Sequence, residues 1–195
     1  MKKIIFFLLL YSLNLCAQNI DINILKNINL NRNKNLDNSF RLITNSATPL
    51  SVGIPIVMFT DCLIAKDSVT KHNAIYICAS VVFSMTIASI VKYSVNRPRP
   101  FVKYSFIEKE TKGGGPSFPS GHSSDAFSLA TSLSIAFPRW YVIIPSYLWA
   151  GAVGYSRMDL GVHYPSDVLA GAMIGAGSAF LCYKCQKWLM TKKRK

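Results

Sequence analysis

The sequence predicts an all-α fold, an integral membrane helical bundle of about five to six transmembrane helices, and three observations carry that expectation. Half of the 195 residues are apolar and only 16% are charged, against about a quarter in soluble domains. Five separate apolar stretches occur, each able with its flanking residues to span about 30 Å of hydrocarbon. The formal net charge of +13 is gathered at a few places, chiefly Lys192-Lys193-Arg194-Lys195 and the segment from Lys92 to Lys112. A nucleic-acid partner would ask for a soluble basic face, so none is expected, and the terminal run is expected to lie on anionic lipid.

Taken in order, Met1-Lys2-Lys3, the apolar run Ile4 to Leu10 and the zone around Cys16-Ala17-Gln18 make residues 1–17 a signal peptide or signal-anchor helix. Leu15 is large for cleavage after Ala17, and Leu13-Asn14-Leu15-Cys16 lacks the small residue that a lipoprotein site places before its cysteine, so both cleavage and retention stay open. Residues 18–47 are rich in Asn and read as a polar periplasmic leader with no catalytic part, although Ile20, Ile22, Ile24, Leu25 and Ile28 can form one amphipathic face. The main domain covers residues 48–190, with helices expected over about 48–65, 74–90, 126–137, 141–155 and 168–183. Pro55 and Asp61 make the first of these the weakest, and the Ser, Thr, Gly and Ala in several suit close packing within a bundle. A basic cytoplasmic tail, 191–195, ends the chain.

Five cysteines stand at 16, 62, 78, 182 and 185. Cys182 and Cys185 have the spacing of a redox or zinc pair, but no second pair or histidine cluster accompanies them, and helix packing is the expected role. Gly113-Gly114-Gly115 reads as a flexible loop. It is not a nucleotide-binding loop, since no Gly-Lys-Ser/Thr follows and no strand precedes it.

Three polar clusters interrupt the apolar pattern: Lys92 with Arg99-Pro100, then Pro119-Ser120-Gly121-His122, then Ser156-Arg157 with His163 and Asp167. Ionisable groups at membrane helix ends are unfavourable unless they face a wet cavity, a partner or an anion. Counting helices puts all three clusters on one side and the terminal Lys/Arg run on the other. Positive residues favour the cytoplasm, so the clusters are expected to face the periplasm of a multi-pass protein in a bacterial inner membrane.

Their residue types suit phosphoryl chemistry, which needs cations for the phosphate oxygens, a nucleophile and an acid for the leaving oxygen. Lys92, Arg99 and Arg157 are candidate cations, the arginines offering planar forks. Ser120 is suited to cap a helix whose open N-terminus, with Gly121 beside it, can bind an anion. His122 in that first turn opposes the helix dipole unless a phosphate is bound. His163 and Asp167 are four residues apart, with Pro165 placed to start a helix, so the carboxylate can hold one imidazole nitrogen and fix the tautomer. A metal site is the competing reading of these histidines, but the only other one, His72, falls on the opposite side.

Lys92-x6-Arg99-Pro100, Pro119-Ser120-Gly121-His122 and Ser156-Arg157-x5-His163-x3-Asp167 together resemble the three-part signature of the type 2 phosphatidic acid phosphatase (PAP2) superfamily, with every position filled in order. Arg97-Pro98 precedes Arg99-Pro100, but only Arg99 has the family spacing from Lys92. The resemblance implies hydrolysis without a metal or other cofactor, through a phosphohistidine. Carried over by position, His163 is the nucleophile, Asp167 orients it, His122 protonates the leaving oxygen, and Lys92, Arg99, Ser120, Gly121 and Arg157 hold the phosphoryl oxygens. Asp125, outside the signature and one turn after His122, is expected to tune it.

The function expected is removal of a phosphate from a membrane lipid phosphate or pyrophosphate: lipid A, undecaprenyl diphosphate, phosphatidylglycerol phosphate or phosphatidate. The loop from Phe101 to Phe118, with Lys103, Lys109, Lys112, Tyr104 and Phe106, is expected at the head group. A phosphotransferase would use the same residues with another acceptor. A non-enzymic anionic-lipid-binding protein would need the cations but has no use for His163 with an orienting Asp167. A vanadium haloperoxidase shares the signature but not so short a membrane chain.

Overall fold

A computed structural model of the chain describes residues 20–193, so the expected signal segment and the end of the basic tail lie outside the described residues. The described residues form helices and connecting loops, with no strand among them. In chain order these are α1 over residues 20–30, a 3-10 turn at Lys34–Leu36, α2 (Asp37–Asn45), α3 (Ala47–Ala65), α4 (Ser68–Val95), α5 (Pro100–Lys103), α6 (Gly121–Ala136), α7 (Trp140–Asp159) and α8 (Pro165–Lys193). The five expected apolar helices are α3, α4, α6, α7 and α8. Among the described residues, three stretches, Lys34–Ala65, Ser68–Lys103 and Pro165–Lys192, are long and apolar enough to cross a membrane.

Local chemistry sets the helix ends that matter. Asp67 caps α4 by accepting from the amides of Val69 and Thr70, and α4 stops where Asn96 turns left-handed at φ 48° and returns its amide to the Lys92 carbonyl. Pro100 and Pro165 each occupy a first helical position, where a missing N–H removes nothing the helix needs. Ser120 caps α6 through the Ser123 amide.

Helix α6 is the hub of the bundle. Its 16 residues reach only about 24 Å, and most of them are buried against α3, α4, α7 and α8, including Ser123, Ser124, Asp125, Ser128 and Ser132. Small side chains allow this closeness. A Cβ on Gly171 of α8 would stand 2.5 Å from the Ser120 carbonyl oxygen, and one on Gly175 would stand 2.3 Å from that of Ser124. The hydroxyls of Ser84 and Ser124, 2.6 Å apart, join α4 to α6. Apolar packing fills the remainder, with Tyr76, Ile77 and Val81 of α4 on Leu129, and Ala47, Ala126, Ala130, Ala150 and Val153 joining α3, α6 and α7.

The segment read as a polar leader is folded onto the end of the bundle where the polar clusters meet. Ile22 and Leu25 of α1 pack on Ile107 and Tyr164. The Asn29 side chain donates to the carbonyls of Glu108 (3.0 Å) and Asp159 (2.8 Å) and accepts from the Glu108 amide (2.9 Å), so it closes three backbone groups at once. Arg32 bridges Asp37 and Glu108. His72 lies at the other end, where Gln186 of α8 donates to its carbonyl.

Because α6 and α8 touch through backbone at Gly175, the Gly175→Ala variant must push the helices apart, and overpacking of this kind typically costs about 1–3 kcal/mol. Gly177, which has open space at its Cβ position, supplies the control. Thermal unfolding in detergent is expected to show a clear loss for Gly175→Ala and none for Gly177→Ala.

Candidate active site

Four helix ends and two loops bring the predicted residues to one place. Lys92 comes from the last turn of α4, Arg99 from the segment between α4 and α5, Ser120, Gly121 and His122 from the start of α6, Arg157 from the end of α7, His163 from the α7–α8 loop and Asp167 from the first turn of α8. His122 lies in the field of Arg157, Arg99 and Lys92. The eight residues read as catalytic or phosphate-binding thus come together at one end of the bundle.

His163 is 1% exposed and Asp167 is fully buried. The imidazole Nδ1 stands 3.4 Å from Asp167 Oδ2, and its Nε2 lies 3.4 Å from Arg99 Nη1. A carboxylate can only accept and a guanidinium can only donate, so the proton sits on Nδ1 and the lone pair on Nε2. Burial, with Arg157 and Arg99 nearby, pushes the imidazole well below its ordinary 6.5, to about 3. The ring is neutral across the physiological range, with Nε2 unprotonated and facing Arg99.

Asp167 is held on every side. Its Oδ2 also accepts from the Ser117 hydroxyl and from the Tyr164 amide (3.0 Å), while its Oδ1 takes Arg97 Nη1 at 2.7 Å. Ser117 and Arg97 were not among the sequence candidates. The doubled Arg-Pro was the only signal of Arg97, and Ser117 carried none.

Lys92, Arg99 and Arg157 are held by backbone carbonyls and, at Arg157, a hydroxyl, rather than by paired acids. Arg99 donates to Gly115 (3.0 Å), Gly114 (2.8 Å) and Val162 (3.1 Å) carbonyls, and Gly113 lies so close that a Cβ there would meet the guanidinium at 2.9 Å. The glycine triplet is thus a collar around Arg99. Lys92 Nζ donates to the carbonyls of Pro116 and Pro119 at 3.2 and 3.0 Å. Arg157 donates to Thr44 Oγ1 at 2.8 Å and to the Lys112 carbonyl at 3.4 Å, and its buried Nε has no partner among the described residues. Carbonyl oxygens satisfy the N–H groups without neutralising the charge, so the site keeps its attraction for an anion. The Ser120 hydroxyl accepts from Ser123, while the amides of Gly121 and His122 at the helix start make no backbone hydrogen bond among the described residues.

Asp125 does not hydrogen-bond His122. Its Oδ2 accepts from Thr48 Oγ1 at 3.1 Å, which ties α3 to α6. Beside the site, a cavity of about 710 Å³ is lined by Arg41, Asn45, Lys109, Glu110, Thr111 and Lys112. It adjoins Arg157 through Thr44 and the Lys112 carbonyl.

Residues 73–191 match the model of a family described as the PAP2 superfamily. The lipid A 4'-phosphatase of Bacteroides thetaiotaomicron is 34% identical over 57% of this chain and 56% of its own length. The undecaprenyl-diphosphatase of Sulfolobus acidocaldarius is 31% identical over 64% of this chain and 60% of its own. The chain spans about half the length of the curated relatives it matches. Among solved structures, Aquifex aeolicus LpxE superposes with a TM-score of 0.72 at 26% identity, covering 85% of this chain and 95% of that one. A transmembrane PAP2 type phosphatidylglycerolphosphate phosphatase from Bacillus subtilis superposes with a TM-score of 0.71 at 27% identity, covering 94% and 93%.

A depressed imidazole sets a sign for stability against pH. Below the unfolded value near 6.5 the unfolded chain takes up a proton at His163 that the folded chain refuses, until the folded value near 3 is reached. Stability is therefore full above about pH 6.5 and declines as the pH falls toward 3. Thermal midpoints recorded in detergent across that range are expected to fall, and to fall less steeply in His163→Asn.

Proposed function

Because the chain belongs to the PAP2 superfamily, we propose that it is a metal-independent phosphatase of membrane lipid phosphates or pyrophosphates, acting through a phosphohistidine. The observation that carries this reading is the buried His163, with Nδ1 on Asp167 and an unprotonated Nε2 facing the cation cluster. The Nε2 lone pair attacks phosphorus, the bond to the leaving oxygen breaks, and His122 supplies that oxygen's proton. Asp167 balances the positive charge that develops on the ring. Water then attacks the phosphohistidine, His122 takes back a proton, and phosphate leaves as His163 regains its lone pair.

Lys92, Arg99, Arg157, the Ser120 cap and the Gly121 backbone hold the phosphoryl oxygens in this scheme. The unpartnered Arg157 Nε supports it, since a phosphoryl oxygen completes its hydrogen bonding. Lipid A, undecaprenyl diphosphate, phosphatidylglycerol phosphate and phosphatidate are the candidate substrates, and relatives named for lipid A and undecaprenyl diphosphate favour an amphiphile delivered by the bilayer. The basic cavity beside Arg157 suits the head group.

The protein is a multi-pass membrane protein, as its long apolar helices and its membrane PAP2 neighbour indicate. We place it in the bacterial inner membrane with the site toward the periplasm, because Lys184, Lys187 and Lys192 gather at the opposite end of α8.

Purified protein in detergent with EDTA is expected to release free phosphate as its sole product, and His163→Ala to reduce the rate by at least about a thousandfold. Release unaffected by that change sinks the mechanism. Mass spectrometry of lipid A and polyprenyl phosphates with and without the gene selects the substrate. For orientation, Ser105→Cys in an otherwise cysteine-free chain is expected to react with an impermeant maleimide in spheroplasts. Labelling only after lysis reverses the topology.

A further inference from the structure

Asp167 has one oxygen, Oδ1, whose single partner is Arg97, and Arg97 in turn leans on a residue from the far end of the chain. Arg97 Nη1 reaches Asp167 Oδ1 and Ser166 Oγ, both at 2.7 Å, and its Nη2 reaches Asp21 Oδ2 at 2.7 Å. The guanidinium plane lies over the Tyr164 ring at 3.8 Å, which fixes the direction of the fork. Asp21, on α1 and 6% exposed, also accepts from the Ser166 amide at 2.9 Å and the Ser166 hydroxyl at 2.5 Å. The result is a linear chain of groups, Asp21 to Arg97 to Asp167 to His163.

We propose that Asp21 and Arg97 are positioning residues for His163, acting through Asp167, so that α1 is part of the catalytic apparatus. The proposal rests on the reading of His163 as nucleophile. Two physical effects support it. Arg97 fixes Oδ1, and with it the plane of the carboxylate that aims Oδ2 at the imidazole. Asp21 shares the Arg97 charge, so Asp167 is not neutralised and keeps a net negative field for the cation that forms when Nε2 bonds to phosphorus. Anchoring α1 does not require Asp21, since Asn29 makes three hydrogen bonds and Ile22 and Leu25 are packed in the same helix.

The test uses the full chain in detergent, with Asp21→Asn, Arg97→Gln and the double variant assayed on dioctanoyl phosphatidate. Expected are a fall in kcat of about tenfold for Asp21→Asn and up to about a hundredfold for Arg97→Gln. KM should stay within about twofold, thermal midpoints should hold, and the double variant should be no worse than Arg97→Gln alone. An unchanged kcat in Asp21→Asn overturns the proposal, as do multiplicative effects in the double variant or a parallel loss of KM and thermal midpoint.

A second measurement is independent of turnover. The protein has three histidines, so ¹⁵N-imidazole spectra can follow His163, assigned by its loss in His163→Ala. The Nδ1–H tautomer is expected in the wild type and a mixture in Asp21→Asn. Turnover insensitive to His163→Ala removes the catalytic reading. A tautomer unchanged in Asp21→Asn removes the positioning proposal.

Discussion

Asp167 has no exposed surface, and a carboxylate in that position is stable only when every lone-pair direction is met. Four groups meet them: a guanidinium, a hydroxyl, a backbone amide and the imidazole. The partners arrive from three parts of the chain: Arg97 from the segment after α4, Ser117 from the loop before α6, and His163 and the Tyr164 amide from the α7–α8 loop. Satisfying one buried charge therefore dictates how those segments are arranged. The cations follow from this arrangement, because Arg99 and Lys92 bond to carbonyls of the loop from Gly113 to Pro119 that also carries Ser117.

The bundle serves the same end. An anion site built on helix termini needs the first turns of α6 and α8 side by side, and glycine at 171 and 175 lets α8 rest directly on α6 backbone. Serine fills the inner face of α6 without pushing its neighbours away. At 16 residues α6 is also the shortest of the five apolar helices, and it is not among the described stretches long and apolar enough to cross a membrane.

The signature residues were legible because local spacing encodes them: His163 and Asp167 lie one turn apart, and Pro119 to His122 mark a capped start. The five apolar helices were legible from composition. The partners of Arg97 were not, since Asp21 is 76 positions away and Asp167 is 70. No local period connects such residues, and α1 presents only an asparagine-rich amphipathic pattern that fits an idle leader equally well. The glycine triplet was readable as a loop, but the role of its carbonyls was invisible, because it depends on backbone direction rather than side-chain type. Asp125 shows the converse, a suggestive one-turn spacing from His122 whose side chain turns instead to Thr48.

The bond from Asp21 to Ser166 spans 145 positions and joins a helix made early to one made late. Membrane chains are inserted as they are synthesised, and contacts of such separation close only after the intervening segments are in place. Each earlier helix can enter the bilayer while the histidine lacks its support. The contacts of Asp21 with Ser166 and of His163 with Asp167 can therefore form only once α8 has been made.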